Sequence, residues 1–344
     1  MVARLLDSAK RTVYPVNPNL SEVLGIATYR SVLDIPGPVD LAAIVVPASQ
    51  VSGVSRECVQ KGVRAAVVIS SGFAETGEQG RRLEEELVRT VRQGGMSFIG
   101  PNSMGYTDTS SHLCTIPWLK DLTPGPVAVV SQSGNYGERI VHTGMASGVG
   151  FSKFISSGNE ADLHMEDYLE YLAQDENTRV ITAYIEGLRE GRRFFQLARE
   201  TTVRKPVVVV KSGGTRGSAR AARSHTGALA GSDAVYSAAF KQAGVIRVYN
   251  DDELCDVVIA LLGRTLPKGN RVAILTIGGG LGVAAAEACE RIGLEMAPLS
   301  PSTMEHLNGY LPSRWSHGNP VDVAGMGLDK RELLYAALLA LLED

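Results

Sequence analysis

VAVVSQSGNYGERI, residues 127–140, is the stretch of sequence that decides the fold. It opens with an apolar run of small and β-branched residues, which predicts a buried strand. The small polar residues Ser131 to Gly134 then predict a tight turn, and a helical pattern follows them. A strand that runs through a tight turn into a helix is the repeating unit of a parallel sheet with helical crossovers.

The same alternation recurs along the chain. Short apolar runs are each followed by a helical pattern, so we predict an α/β fold of tandem doubly wound parallel-sheet domains. The high glycine content, 37 of 344 residues, suits many tight turns between strands and helices. The clearest further strands are predicted at LAAIVVP (41–47), AAVVIS (65–70), VITAYIEG (180–187), PVVVVKSG (206–213) and RVAILTIGG (271–279).

Two polar stretches that carry proline and glycine interrupt the alternation and predict domain boundaries. They are LKDLTPGPV (119–127) and GRTLPKGNR (263–271). We therefore divide the chain into three predicted domains, residues 1–122, 123–266 and 267–344.

At both ends of the chain, the predicted strands and helices differ from those of a complete doubly wound domain. A helical pattern and a short predicted strand, TVYPV (12–16), stand where such a domain opens with a central strand and a Gly-rich turn. The last predicted domain is short and stops on a helical pattern at 329–344. We expect the first domain to lack its first strand and Gly-rich loop, and the third to be truncated.

Composition excludes several classes of protein. The formal net charge of −3 argues against a nucleic-acid or anionic-membrane partner. No apolar run approaches the ~20 residues of a membrane span, and the N-terminus lacks a signal-peptide pattern. The cysteines and histidines show no metal-ligand spacing, so we predict no metal site. Sparse, separated cysteines fit a reducing compartment, and we expect a cytoplasmic protein.

Two predicted strand-to-helix turns could bind a phosphate-like anion, because helix N-termini present unpaired N–H groups and a positive dipole end. Tight turns of this kind also occur for purely structural reasons. The second turn lacks the Lys and Ser/Thr of a P-loop. If both turns bind, two helix dipoles could converge on one phosphate. The residues are Ser131, Gln132, Ser133 and Gly134 in the first turn and Gly278, Gly279 and Gly280 in the second.

His225 is the candidate nucleophile. It follows an irregular loop, KSGGTRGSARAARS (211–224), and precedes a helix predicted to begin near Ser232 and Asp233. A neutral imidazole at a phosphate site can accept a phosphoryl group, and it then needs a carboxylate to orient its other nitrogen. Glu186 ends a predicted strand, where open α/β sheets place their sites. On residues alone, a structural loop histidine and a solvated strand-end charge remain the alternatives.

The chain resembles the NDP-forming acyl-CoA synthetases. That family includes ADP-forming acetate–CoA ligase and is related to the succinyl-CoA synthetase α subunit. SHTGALAGSDAVYSAAFKQAGVIRV (224–248) resembles the phosphohistidine segment of that family. The resemblance covers nearly the whole chain. Its other motifs are YPVNPN (14–19), DLAAIVVPA (40–48), ISSGFAE (69–75), GPNSMG (100–105), VAVVSQSGNYGERI (127–140), residues 148–194, KPVVVVKSG (205–213), residues 275–295 and NPVDV (319–323).

The resemblance implies a Rossmann-like CoA-binding domain, a succinyl-CoA-synthetase-like flavodoxin-type domain and the start of a third. It also implies an exchange in which phosphate converts acyl-CoA to acyl phosphate, His225 takes the phosphoryl group, and ADP or GDP receives it. Glu186 would hold the phosphohistidine ring, and the two turns would cradle the phosphoryl group. The CoA contacts would come from Asn17, Pro18, Val46, Pro47, Ala48, Ser70, Ser71, Gly72 and Asn102.

The resemblance also implies partners. CoA, phosphate and a carboxylic acid are the expected substrates, and ATP or ADP with Mg²⁺ is expected on an ATP-grasp domain or partner subunit, in an oligomer. Ser103 replaces a cysteine that many relatives carry. The alternatives are a non-catalytic CoA-binding or regulatory module, an incomplete fragment of such an enzyme, and an NAD(P)-dependent dehydrogenase, which lacks support because no GxGxxG is present.

Overall fold

The computed structural model describes residues 2–6, 11–119, 122–214, 232–263, 267–325 and 330–344. The chain divides into two compact units, Met1–Gly263 and Arg264–Asp344. The first two of the three predicted domains therefore share one unit, and the division into three stays a prediction. In the described residues, none of the helices is long and apolar enough to cross a membrane.

The described helices alternate with strands, as the sequence predicts. Short 3₁₀ turns stand at Val32–Asp34 and Ala74–Thr76. The α-helices are α1 (Val2–Leu6), α2 (Ala48–Lys61), α3 (Glu78–Gln93), α4 (Gly134–Ala146), α5 (Met165–Gln174), α6 (Gly191–Thr201), α7 (Asp233–Gln242), α8 (Asp251–Leu262), α9 (Gly279–Arg291), α10 (Pro301–Tyr310) and α11 (Arg331–Glu343).

The described strands are mostly short, and the longest lie in the first unit. They are β1 (Glu22–Val23), β2 (Ile26–Ala27), β3 (Leu41–Ile44), β4 (Ala65–Val68), β5 (Ser97–Ile99), β6 (Gly105–Asp108), β7 (Leu113–Cys114), β8 (Pro124–Ser131), β9 (Phe151–Ser156), β10 (Val180–Ile185), β11 (Val207–Lys211), β12 (Ile246–Val248), β13 (Arg271–Val272), β14 (Leu275–Thr276), β15 (Glu295–Met296) and β16 (Val321–Asp322).

A seven-stranded sheet forms the centre of the first unit, in the order β12-β11-β10-β8-β9-β6-β7. Its strands β8 to β12 are parallel and follow the flavodoxin-type order, in which the second strand lies on one side of the first and the third on the other. The order in which strands are added to the sheet therefore reverses between β8 and β10, and this is the switch point of the sheet. Ligands of open α/β sheets bind in the crevice at the carboxyl ends of the strands at such a switch point.

Smaller sheets complete the two units. Strands β3, β4 and β5 form a parallel sheet in the first unit, and β1 pairs with β2 in an antiparallel ribbon. In the second unit, β13 pairs with β15 and β14 pairs with β16, both in parallel. Apolar side chains from the strands and helices form separate buried cores around these sheets, and valine dominates the core of the large sheet.

The α/β fold is confirmed, with one difference in the large sheet. Strand β6 runs antiparallel to β9, and β7 runs antiparallel to β6, so the sheet is not wholly parallel. The link from β6 to β7 is a short turn without a helix, and a turn of that length can join only antiparallel strands. Residues 12–16 form no strand, since Val16 makes only an isolated bridge with Tyr29.

Strand β9, FSKFIS, is buried along its whole length but carries a lysine. Lys153 is 1% exposed, and its Nζ lies 2.7 Å from Asp175 Oδ2 and 3.9 Å from Asp108 Oδ1. A buried charge is tolerated when it is paired in this way. The lysine breaks the apolar pattern, which explains why the clearest sequence signals did not include this strand.

Gly137 allows helix α4 to pack closely on the large sheet. A Cβ atom at this position would lie 2.6 Å from the Phe154 ring and 2.6 Å from Ser131 Cβ. We expect Gly137→Ala to lower the free energy of unfolding by about 1–3 kcal/mol, because the rigid core must shift to admit the methyl group. Gly191→Ala, where a Cβ would meet open space, is the matched control. Equal denaturant midpoints for the two variants would contradict this account of the packing.

Candidate functional site

The turn after β8 lies at the switch point of the large sheet. Ser131 is fully buried, and its Oγ donates a hydrogen bond of 2.5 Å to the carbonyl oxygen of Ser133. Ser133 is the N-cap of α4, and its Oγ accepts the N–H of Tyr136 at 3.4 Å. A side chain at Gly134 would collide with Met104. The turn is thus held in place, and it directs the positive end of the α4 dipole into the crevice.

Gln132, also predicted as a phosphate contact, reaches across to the end of β10. Its Oε1 accepts the N–H of Glu186 at 2.6 Å and the N–H of Gly187 at 3.1 Å. Its Nε2 donates to the carbonyl oxygen of Gly187 at 2.7 Å and to Glu160 Oε2 at 2.9 Å. The carboxamide therefore joins the carboxyl ends of two neighbouring strands.

Glu186 directly follows β10, and its residue is 9% exposed. Lys211, the last residue of β11, donates from Nζ to the carbonyl oxygen of Glu186 at 2.9 Å. Gln132 holds the N–H of the same residue. The backbone of Glu186 is therefore fixed from both sides, and the residue lies at the carboxyl end of β10, next to the strand that leads into α4.

Lys211 brings a cation close to this carboxylate. Its Nζ lies 4.4 Å from the centre of the Tyr236 ring, a cation–π distance. Burial lowers the pKa of Lys211, and the positive charge of Arg247 lowers it further. Lys211 was not predicted as a functional residue, although its place at the end of a predicted strand was a usable signal.

Glu160 is the second residue that the sequence analysis missed. It is 2% exposed, and its carboxylate accepts hydrogen bonds from Gln132 Nε2, from Ser157 Oγ at 2.7 Å and from the N–H of Met165 at 3.2 Å. Burial raises the pKa of Glu160 to about 7, and the negative charge of Glu166 contributes. Its position just past β9 was the only sequence signal.

Glu160 makes folding stability depend on pH. Its pKa rises from the ordinary 4.5 to about 7, so the stability that the bound proton contributes is complete below pH 4.5 and is lost as the pH rises to about 7. Its titratable neighbours are Glu166 and Tyr168. We expect Glu160→Gln to remove this loss. Between acidic and neutral pH, the free energy of unfolding of the wild type should fall relative to the variant, by about 3 kcal/mol at most. Urea unfolding at several pH values measures this, and a pH-independent difference would contradict it.

The predicted CoA contacts lie at the carboxyl ends of β3, β4 and β5. Ser70 Oγ donates to the carbonyl oxygen of Val46 at 2.5 Å, and the N–H of Asn102 donates to the carbonyl oxygen of Ser70 at 2.8 Å. Gly72 has φ +103°, and a Cβ there would lie 3.2 Å from Ala48 Cβ. The structure therefore brings together the loops that carry Val46, Pro47, Ala48, Ser70, Gly72 and Asn102, and α2 begins at Ala48.

The remaining predicted CoA contacts occupy less central positions. Asn17 Oδ1 accepts the N–H groups of Asn19 and Leu20 at 2.9 and 3.2 Å, which closes a small turn that includes Pro18. Ser71 is exposed beside Gly72. These residues keep their predicted role as proposals.

Asn159 joins the loops near β3–β5 to the crevice of the large sheet. Its Nδ2 donates to Glu75 Oε2 at 2.6 Å and to Glu84 Oε2 at 2.9 Å, and its Oδ1 accepts from Asn102 Nδ2 at 3.2 Å. Glu75 in turn accepts the N–H of Gly72 at 2.6 Å. Asn159 directly precedes Glu160, so one loop contacts both groups of predicted residues.

The roles of His225 and of the turn at Gly278 to Gly280 remain predictions. His225 lies outside the described residues. Gly278, Gly279 and Gly280 lie in the second unit, where Gly278 is the N-cap of α9 and Thr276 Oγ1 donates to its carbonyl oxygen at 3.0 Å. The strand, turn and helix expected there are present. Within the described residues, no group of three or more His, Cys, Asp or Glu side chains is placed to hold a metal ion.

Comparisons with known proteins identify the two domains and the relatives of the chain. Residues 1–108 match the family model of a CoA binding domain, and residues 124–261 match that of a succinyl-CoA ligase like flavodoxin domain. The acetate–CoA ligase [ADP-forming] II subunit alpha of Pyrococcus furiosus is 45% identical over 332 residues, which cover 96% of this chain and 72% of that subunit.

Longer relatives and a solved structure are also similar. The acetate–CoA ligase [ADP-forming] I of Archaeoglobus fulgidus is 45% identical over 324 residues, which cover 94% of this chain and 47% of that protein. The dinucleotide forming acetyl-coenzyme A synthetase 1 of Ca. Korarchaeum cryptofilum, solved in complex with phosphate and ADP, matches with a TM-score of 0.92 and 38% identity. That match covers 99% of this chain and 74% of the other.

Proposed function

The chain belongs to the NDP-forming acyl-CoA synthetase family, and we propose that it contributes the CoA-binding and phosphohistidine sites of an ADP-forming acid–CoA ligase. It is the α-subunit-like part of such a ligase, an acid–thiol ligase by reaction class. The observation that supports the proposed phosphohistidine site is the position of Glu186. Gln132 and Lys211 hold it at the switch point, beside the Ser133-capped helix.

The proposed reaction has three steps that balance. An oxygen of inorganic phosphate attacks the thioester carbonyl, the thiolate of CoA leaves and takes up a proton, and acyl phosphate forms. A ring nitrogen of His225 then attacks the phosphorus, and the carboxylate of the acid leaves. Finally, a terminal oxygen of ADP attacks the phosphohistidine and ATP forms. In the reverse direction the same steps activate an acid with ATP and CoA.

The residues of the crevice have separate tasks in this scheme. The N-terminus of α4, at Ser133 and Gly134, offers N–H groups and a dipole to the phosphate oxygens. The Glu186 carboxylate accepts the N–H of the second ring nitrogen of His225, which keeps the attacking nitrogen unprotonated and stabilises the charged ring once it is phosphorylated. We propose that Gly278, Gly279 and Gly280 bind the phosphoryl group from the start of α9.

CoA and the nucleotide are proposed to bind at separate places. CoA would lie across the loops at Val46–Ala48, Ser70–Gly72 and Asn102, where α2 directs its N-terminus to the same edge. ADP or ATP with Mg²⁺ would bind an ATP-grasp subunit or domain, and that partner would make the enzyme an oligomer or a longer chain. The segment with His225 would carry the phosphoryl group from one place to the other.

The proposed function is tested by the products of the complete reaction. The chain is combined with an ATP-grasp subunit of a relative and given ATP, Mg²⁺, CoA and a panel of acids that begins with acetate. We expect one free thiol to disappear for each ADP released. Release of AMP would contradict the mechanism, because only phosphoryl transfer leaves ADP. Binding of CoA without turnover of any acid would favour the regulatory module, and binding of NAD instead of CoA would favour a dehydrogenase.

A further inference from the structure

We propose that Gln132 and Glu160 form a positioning pair that sets the orientation of Glu186 toward the phosphorylated histidine, and that the Gln132 side chain binds no phosphate. This inference rests on the proposed function of His225 and Glu186. It assigns a role to the buried residue Glu160, which takes no part in the three proposed steps.

All hydrogen-bonding groups of Gln132 that could contact phosphate are engaged within the protein. A carboxamide has two donors and two acceptor positions. Here both donors and two acceptor contacts are used by Glu160, Glu186 and Gly187. The backbone N–H of Gln132 donates to the carbonyl oxygen of Tyr184 at 3.3 Å. Binding a phosphate oxygen through Gln132 would therefore break bonds that hold the end of β10.

Glu160 determines which way round the carboxamide lies. The carboxylate of Glu160 accepts from Gln132 Nε2, so the amide nitrogen must point toward Glu160 and the amide oxygen toward the backbone N–H groups of Glu186 and Gly187. The reverse orientation would place two oxygens together and two donors together. Ser157 and Met165 hold the carboxylate itself in place.

The position of Glu186 depends on this amide. Its N–H is bonded to Gln132 and its carbonyl oxygen to Lys211, so a shift of the Gln132 side chain moves the peptide that carries the Glu186 carboxylate. Displacing a reacting or orienting group by ~1 Å can cost ~100-fold in rate. Gln132 and Glu160 therefore act on the reaction through Glu186 and not by contact with substrate.

The location of the pair favours a role in the reaction over a general structural role. Glu160 has φ +53°, a conformation that is unfavourable for a residue other than glycine, and its carboxyl group is buried. Such costs are typical of functional sites. Toward the amino end of the same sheet, a buried Lys153–Asp175 pair already joins neighbouring segments. That pair lies away from the switch point and provides the control.

A swap of charge and amide tests the pair. The variants are Gln132→Glu, Glu160→Gln and the double variant, each combined with the ATP-grasp subunit and [γ-³²P]ATP, and the initial rate of labelling of His225 is measured. Gln132→Glu places two carboxylates face to face, so we expect labelling to slow by about tenfold or more, and more strongly as the pH rises. In the double variant an amide at 160 can donate to the carboxylate at 132, which removes the repulsion between two carboxylates. One oxygen at 132 still faces the carbonyl oxygen of Gly187, which accepts from Gln132 Nε2 in the wild type. We therefore expect the double variant to recover part of the rate that Gln132→Glu loses.

The controls separate positioning from loss of stability. Asp175→Asn weakens the buried pair at the opposite end of the sheet and should keep the labelling rate and its pH profile despite a lower unfolding temperature. If Gln132→Glu does not fold, Gln132→Met replaces it, with the expectation of slow labelling that Glu160→Gln does not rescue. Labelling of Gln132→Glu at the wild-type rate, or a double variant that labels no faster than Gln132→Glu, would overturn the inference alone. No label on wild-type His225 would overturn the proposed function and the inference together.

Discussion

Replacing His225 by asparagine is expected to abolish the transfer of phosphate from ATP to the protein. Asparagine has similar size and polarity, but its amide nitrogen is not a nucleophile and cannot form a phosphoramidate at this site. Because every turnover in the proposed scheme passes through the phosphorylated ring, acyl-CoA synthesis should fall to background as well. The measurement is incorporation of label from [γ-³²P]ATP in the presence of the ATP-grasp subunit.

A second histidine variant controls for general damage to the protein. His142 lies on α4 with a 60% exposed side chain, 3.4 Å from Glu138. His142→Asn should label at the wild-type rate, and both variants should bind CoA and unfold like the wild type. If His225→Asn still takes up acid-labile phosphate, His225 is not the phosphorylated residue.

Replacing Glu186 by glutamine is expected to slow phosphorylation about 10- to 100-fold. The carboxylate stabilises the positive charge of the ring as the phosphoryl group transfers, and a charged hydrogen bond contributes about 1.5–3 kcal/mol more than no bond. Converted to a rate, that range corresponds to about one to two powers of ten. Glutamine keeps the size of the side chain, so the backbone bonds to Gln132 and Lys211 should survive.

The nearby Glu190 provides the matched control for Glu186. It is the N-cap residue of α6, and its side chain is 52% exposed, beside Arg193. Glu190→Gln should leave the phosphorylation rate unchanged, and neither variant should change CoA affinity. Unchanged phosphorylation in Glu186→Gln would reduce Glu186 to a structural strand-end residue.

The strand-and-turn framework could be predicted from the sequence because each of its signals is local. The apolar runs at 180–187 and 206–213 contain the observed strands β10 and β11. The helix predicted to begin near Ser232 and Asp233 begins at Asp233 with Ser232 as its N-cap. Likewise, the turn that starts at Ser131 leads into α4 as predicted.

The interactions that hold Glu186 could not be predicted, because they join residues far apart in the sequence. Gln132 bonds to Glu160 and to Gly187, 28 and 55 positions away. No spacing rule connects such residues before the strand order is known. The order β9-β8-β10 places their strand ends together, and it also converts Gln132 from a predicted phosphate contact into a candidate positioning residue.

The burial of charged residues in the sheet could not be predicted from the sequence patterns either. Lys153 and Glu160 lie within or next to a buried strand, and their polarity predicts exposure. Each is accommodated by partners from other elements, Asp175 for Lys153 and Gln132 for Glu160. By contrast, His225 was predicted from its motif alone, and its role as the phosphorylated residue stays a prediction.

The most direct test of the central claim is to locate the phosphate and then to remove it with substrates. The wild-type chain is labelled with the ATP-grasp subunit and ATP, digested at alkaline pH and mapped by mass spectrometry. We predict acid-labile, base-stable phosphate on His225 that ADP removes as ATP and that acid plus CoA removes as inorganic phosphate with formation of acyl-CoA. Phosphate on another residue, or phosphate on His225 that neither ADP nor acid plus CoA removes, would contradict the account.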